Sequence, residues 1–228
     1  MLWGALKQAV KLEVLSRNVA DAATPPRLKD SEVEILTPDQ ISAVRDALKG
    51  SRLGPIVSLG LATGCRLGEL MALRWRDIDG GIVNVERSLE QTKGNLRFKE
   101  PKSRHGRRKI TLPPSAVADL DRYRRQLGVA THPDALVFSN PDGSPIRPNA
   151  VSVQWNREIR RIKRVPAVVF HSLRHTHASA LIRAGIDVVS VSRRLGHSSP
   201  VITLKVYAHL FGDEGDGRAA EAIETMLG

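Results

Sequence analysis

Cysteine is almost absent from this chain: Cys65 stands alone in 228 residues. An internal disulfide is therefore excluded and a cysteine-based zinc site is not expected. Aromatic residues make up only 4% of the sequence, too few for the stacking platforms that hold single-stranded nucleic acid. No apolar run approaches the ~20 residues that cross a bilayer, and no signal-peptide pattern opens the chain. No membrane partner is expected, and the expected setting is a reducing cytoplasm. Acidic residues are the scarcer sign, 24 against 35 Lys and Arg, which leaves a net charge of +11 and a pI near 10.4. The basic residues run through the whole chain. That balance favours a polyanion, most simply the backbone of duplex nucleic acid, although ribosome-associated and membrane-surface proteins share it. The length suits one well-buried domain with a small appendage.

Most of the reactive side chains gather between Phe170 and Leu210. His171, Arg174 and His175 stand at i, i+3 and i+4, so a helix puts two imidazoles and a guanidinium on one face. Leu173, Ala180 and Ala184 then fall opposite, as an apolar back. This helix is predicted to end near Gly185. A second, from Asp187 to Leu195, stops at Gly196 and leaves His197 just past its end. Tyr207 follows ten positions later. A free phenol ionises near pH ~10 and is a poor nucleophile unless its proton is removed as it attacks. A phosphodiester gathers negative charge in the transition state, and an arginine offers a planar, permanently charged, bidentate clamp for it. Taken singly, each of these side chains reads as packing or as a satisfied core group; together they supply a nucleophile, proton-handling groups and half of a phosphate clamp. A competing reading takes Ile186 to His197 as the helix-turn-helix of a non-catalytic DNA binder.

Upstream, Trp3, Leu6, Val10 and Val14 recur at helical spacing and predict an amphipathic helix over residues 2–16. Thr37-Pro38-Asp39-Gln40 is a helix start with a capping box, and its helix is predicted to run to about Leu48. A second helix, roughly Pro55 to Ala62, leads into Thr63-Gly64-Cys65-Arg66-Leu67-Gly68-Glu69-Leu70. There Arg66 and Glu69 share a face, as an ordinary surface ion pair or as a held guanidinium. Alternating segments at 82–86, 96–99 and 109–112 predict three short strands of one antiparallel sheet. Between Lys99 and Lys109, six of eleven residues are Lys or Arg, a stretch that reads as a phosphate-binding loop. Helices are further predicted over Ser115 to Leu127 and over Pro148 to Arg164, the latter basic, with Val151, Trp155, Ile159 and Ile162 as its core stripe. Ala219, Ile223, Met226 and Leu227 mark a last amphipathic helix, for which packing onto its own domain is the default.

The segments HSLRH, LGHSS and TGCRLGELMALRWRDI, with Tyr207 at its spacing, resemble the tyrosine recombinase (phage integrase) family, over roughly residues 37–211. The resemblance implies a mainly α fold with a small antiparallel β-sheet. It implies catalytic residues Arg66, His171, Arg174, His197 and Tyr207, with His171 assisting proton removal from the tyrosine or steadying the phosphate and Glu69 orienting Arg66; His175, on the same helical face, is read as orienting its neighbours. The family's catalytic lysine sits in a strand-turn before an R-x-I-x-L strand. Lys102 fits that place best and Lys99 is the alternative, with Lys99, Arg104 and Arg107 also expected to contact DNA. The implied reaction is site-specific cleavage and rejoining of double-stranded DNA through a 3′-phosphotyrosyl link, with no ATP, metal or other cofactor. A type IB topoisomerase would use the same chemistry but rejoin the same strand. The resemblance further implies a homotetramer on DNA that exchanges C-terminal tails, leaves room for accessory DNA-bending proteins, and sets the work at the nucleoid. Residues 1–27 would be the last helix of a core-binding domain plus a linker at Thr24-Pro25-Pro26-Arg27, 28–211 the catalytic domain, and 212–228 the tail. The chain would then be a piece of a longer protein or lack most of the first domain.

Overall fold

The computed structural model of the chain describes residues 2–23, 34–92, 94–101, 106–128, 132–210, 221 and 223–227. It divides into two compact units, residues 1–32 and 33–228. In the first, helix α1 spans Leu2–Lys11 and stops five residues short of the predicted end. The chain turns there through Glu13, at φ +57, a left-handed conformation that no helix continues through. A 3-10 turn at Val19–Ala22 follows, capped by Asn18 and tied back by the Trp3 indole, which donates to Asp21 at 2.7 Å. The expected linker, 24–27, lies outside the described residues.

In the second unit, α2 (Pro38–Ala47) begins with the predicted capping box. The Gln40 backbone donates to Thr37 Oγ1 at 3.3 Å, and the Thr37 backbone donates to Gln40 Oε1 at 2.9 Å. Helix α3 (Leu53–Thr63) is apolar on almost every side, and six of its residues are buried, so it forms the hub of the core with α5 and α7 packed on it. It ends at Gly64, at φ +65. A Cβ there would lie 2.6 Å from the His177 ring and 2.9 Å from Leu195, so glycine is needed for space as well as for conformation. Helix α4 is a single turn, Leu67–Leu70.

The predicted single sheet is in fact two. Strands β1 (Ile78–Asp79), β2 (Ile82–Val85) and β5 (Arg108–Thr111) form one antiparallel sheet in the order β1-β2-β5, with Val83 opposite Ile110. The segment near 96–99 pairs elsewhere: β3 (Ser88–Thr92) and β4 (Asn95–Lys99) make a separate hairpin that turns at Gly94, with Leu89 opposite Phe98. Local pairing across so short a loop costs little chain entropy, and β3 escapes notice because only Leu89 in it is buried.

Helix α5 spans Pro114–Gln126 and α6 spans Pro148–Ile159. The predicted basic extension of α6 to residue 164 is not helical; the chain reverses through Arg164 at φ +65. Val151, Trp155 and Ile159 are buried as the periodicity predicts, and the Trp155 indole donates to the Val168 carbonyl at 2.7 Å, fixing the segment that enters α7. Helix α7 (Ser172–Arg183) differs from the two-faced helix expected. Ala180 and Ala184 are exposed, while Leu173, Arg174, Thr176, His177, Ala178 and Ile182 are all buried. Helix α8 (Val188–Leu195) is capped by Asp187 and stopped by Gly196 at φ +69, as predicted. Helix α9 (Pro200–Tyr207) starts on the Ser199 cap. A small second core joins α7, α8 and α9 through Ala178, Ile182, Val191, Leu195 and Tyr207. Residue 221 and residues 223–227 are helical, and Ile223, Met226 and Leu227 are exposed there instead of packed on the domain. Among the described residues no helix is long and apolar enough to cross a membrane.

Candidate active site

Arg66 sits at the N-cap of α4, a helix too short to hold its first residue by its own ladder. Glu69 supplies the hold: one carboxylate oxygen accepts the Arg66 backbone N–H at 2.8 Å, and the other accepts Nη1 at 3.0 Å. This is not the ordinary surface pair, because the Glu69 side chain is only 8% exposed whereas that of Arg66 is 45% exposed. The acid is inside and the guanidinium is offered outward. Glu69 also takes a two-pronged contact from Arg108, whose Nη2 and Nη1 donate at 2.8 and 3.2 Å. Burial would raise the Glu69 carboxyl, but the hydrogen bonds and charge of Arg108, with those of Arg66, outweigh it and hold it below the usual carboxylate range.

Sequence reasoning met Arg108 as one of six charges in a basic run and as the first residue of the R-x-I-x-L strand, and gave it no role in the site. A usable signal lay in the strand period, since Arg108 and the buried Ile110 stand on the same face of β5. Cys65, next to Arg66, is buried, and burial pushes its thiol up to about 11 despite the nearby Arg108, so it stays a protonated thiol at neutral pH.

Arg174 approaches the same loop from α7. It is buried, and its Nη1 donates to the Gly64 carbonyl at 2.8 Å, two residues before Arg66. Its Nη2 is buried with no partner among the described residues. Leaving such a donor unmatched costs about 1–3 kcal/mol, so Nη2 is available to an acceptor from outside the described residues. Burial and then the charge of Arg66 bring the Arg174 guanidinium down to about 10. His171 is held below the usual imidazole range by burial, then by Arg174 and Arg66. His197 is brought down to about 4 by burial, then by Arg174, Arg66 and Arg108. These side chains, from α4, α7 and the end of α8, therefore share one cationic field.

Tyr207 enters from α9 with 2% of its surface exposed, and its Oη lies 2.6 Å from Nδ1 of His175. The His171 ring stands edge-on to His175 at 4.9 Å between centroids. The imidazole that touches the phenol is thus His175, for which only an orienting part was expected, and His171 lies behind it. Burial pushes the phenol up to about 12, offset in part by Arg174, and burial with His171 brings His175 down to about 4. A neutral His175 whose Nδ1 accepts the phenolic hydrogen follows from those values. His197, fixed by a 2.8 Å contact between its Nδ1 and Thr203 Oγ1, lines a cleft of about 700 Å³ together with Arg66, Glu69 and Lys99.

Lys99 pairs with Glu90 at 3.3 Å on the cleft wall, and Arg107 is exposed and pairs with Glu100 at 2.6 Å. Lys102 and Arg104 lie outside the described residues, between Pro101 and Gly106, both of which line the cleft. His177, not singled out from sequence, is buried: its Nδ1 contacts the Leu61 carbonyl at 2.7 Å and its Nε2 accepts from Arg194 at 3.1 Å. Arg194 also donates to the carbonyls of Ala62 and Thr111. The last turn of α8 is thereby turned inward, unlike a helix-turn-helix reading head.

Residues 34–214 match the phage integrase family. The chain is 29% identical to a XerC-like tyrosine recombinase of Caldanaerobacter subterraneus, over 92% of this chain and 58% of that protein. It is 26% identical to the ICEBs1 integrase of Bacillus subtilis, over 96% of this chain and 62% of that one, so it spans about 60% of the length of these relatives. Among solved structures it superposes on the Tn1549 transposon integrase in complex with transposon right end DNA. There the TM-score is 0.78 at 22% identity, covering 99% of this chain and 76% of the other. With most of its length matched by the family and with the family's fold, the chain belongs to the phage integrases, the tyrosine recombinases.

Proposed function

We propose that this protein is a site-specific DNA recombinase that cuts and rejoins DNA through a 3′-phosphotyrosyl intermediate. The observation that carries the reading is the Tyr207–His175 hydrogen bond in the field of Arg174, whose guanidinium reaches the Gly64 carbonyl of the loop that carries Arg66. Arg66 and Arg174 grip the non-bridging oxygens of one phosphate, the unmatched Nη2 of Arg174 taking one of them, and His197 supports the same group. Tyr207 Oη attacks phosphorus and its proton passes to Nδ1 of His175, while His171 steadies the charged His175 or the phosphate. The bond from phosphorus to the 5′ oxygen breaks. That oxygen takes a proton from a lysine ammonium, Lys102 or else Lys99. A 5′ hydroxyl reverses the sequence. One phosphodiester replaces another, so the reaction needs no ATP, and no metal enters it.

Lys99, Arg104 and Arg107, with the charge of +11, supply contacts to the duplex backbone that strengthen binding without choosing a sequence. The exposed Ile223, Met226 and Leu227 suit exchange of tails between protomers of a tetramer assembled on DNA, with room for accessory DNA-bending proteins, at the nucleoid. The domain plan follows the same reading: 1–27 the end of a core-binding domain, 28–211 catalytic, 212–228 the exchanged tail.

The test uses a pool of nicked duplexes of randomised sequence, in which a cut near the nick releases a short fragment and traps the enzyme. The wild-type chain should give a detergent-resistant adduct, and Tyr207→Phe should give none while still binding DNA. Binding without any adduct from the wild type overturns the reading.

A further inference from the structure

We propose that Arg108 is a positioning residue for strand cleavage, setting where Arg66 and His197 stand relative to one another. The proposal rests on the cleavage reading above. Arg108 is buried, with 6% of its side chain exposed, and directs its donors to three separate parts of the site. Nη1 and Nη2 hold the two oxygens of Glu69, Nε donates to the Arg194 carbonyl at 2.7 Å, and Nη1 also reaches the Gly106 carbonyl at 3.3 Å.

On one side, Glu69 is what fixes Arg66. Its two oxygens are shared among four donors, two from Arg66 and two from Arg108. Without Arg108, a buried carboxylate would have only Arg66 to neutralise it and would draw that guanidinium inward, out of the cleft. With Arg108 in place, Arg66 satisfies Glu69 through Nη1 and its backbone alone, and among the described residues no protein acceptor takes its Nε or Nη2.

On the other side, the Arg194 carbonyl belongs to the last turn of α8, two residues before Gly196 and three before His197. Gly196 admits the guanidinium, because a Cβ there would lie 2.7 Å from Arg108 Nη1. One rigid planar group therefore spans from the anchor of Arg66 to the helix end that presents His197. A lysine keeps the charge but cannot direct donors to a carboxylate and a carbonyl at once.

The experiment takes a cleaved sequence from the nicked-duplex pool and measures single-turnover adduct formation. Two substrates are compared, one with an ordinary scissile phosphate and one with a neutral methylphosphonate in its place, which asks less of a cationic clamp. On the ordinary phosphate, Arg108→Lys should cut about 100-fold more slowly, the scale of a small misplacement in the site, with unchanged affinity for the duplex. On the methylphosphonate much of that loss should disappear, as it should for Arg66→Ala. Melting curves establish that Arg108→Lys is folded. If it is not, the neutral pair Arg108→Met with Glu69→Gln removes both buried charges together and should show the same pattern. Arg108→Lys cutting at the wild-type rate overturns the proposal, and so does an equal loss on both substrates, which would mark a merely structural arginine. A wild-type chain that forms no adduct overturns the cleavage reading itself, a failure visible before any Arg108 variant is compared.

Discussion

The Tyr207 hydroxyl and Nδ1 of His175 are 2.6 Å apart, a pair that joins α9 to α7, with Tyr207 packed in the small core of Ala178, Ile182, Val191 and Leu195. With the phenol at about 12 and the imidazole at about 4, the proton stays on oxygen at neutral pH. An arriving phosphate adds a negative charge to a site otherwise crowded with cations, which raises His175 toward a useful base and offsets its repulsion by Arg174. His175→Gln should therefore slow single-turnover cleavage by about 10²–10⁴-fold, the ordinary worth of a general base, and leave DNA affinity unchanged. His171→Gln should be the milder variant. If the order is reversed, His171 and not His175 takes the proton.

Three imidazoles, His175, His177 and His197, are each brought down to about 4, in every case chiefly by burial. In the unfolded chain they bind protons near ~6.5, so between the two values the unfolded state holds more protons than the folded one. Their contribution is complete above the unfolded value and is lost progressively as pH falls to the folded value. Thermal melts should show a lower Tm at pH 4.5 than at pH 7. His177→Gln, which can still meet the Leu61 carbonyl, should flatten that slope. An unchanged slope in the variant would assign the acid sensitivity to carboxylates instead.

Gly64 and Gly80 both have positive φ, +65 and +54, but differ in their surroundings. At Gly80 a Cβ meets nothing within 4 Å, so Gly80→Ala should cost only the backbone penalty of about 1–2 kcal/mol. At Gly64 the same carbon strikes the His177 ring and Leu195, and overpacking adds about 1–3 kcal/mol. Denaturant melts compare the two directly. Equal losses would mean that the α3–α7–α8 junction yields more readily than its packing suggests.

What could be read along the chain was whatever its neighbours decide. The Thr37 capping box, the Asp187 cap, the Gly196 stop and the Val151-Trp155-Ile159 stripe are settled within a turn or two of helix, and each stands where the residues put it. Partition of the strands was not legible, because Leu89 is the only buried residue of β3 and pairing is decided across the fold. Arg108 looked like one more solvated charge, since its partners Glu69 and Arg194 lie 39 and 86 residues away. His171 and His175 share a helical face, and only the placement of α9 selects the one that meets Tyr207.

The end of the chain offers a sharper choice between its two expected roles. Ile223, Met226 and Leu227 are exposed at 50%, 71% and 73%, so among the described residues of 212–228 no apolar side chain is buried against the domain. Fully burying three such side chains is worth about 1.5–3 kcal/mol each, a contribution that becomes available only when something covers them. The truncated chain should therefore melt like the full one in the absence of DNA, within about 0.5 kcal/mol. In sedimentation with DNA carrying paired sites, it should fail to assemble beyond what each site binds independently. A truncated chain that melts much earlier without DNA would show the tail helix to be packed on its own domain, and exchange between protomers would lose its support.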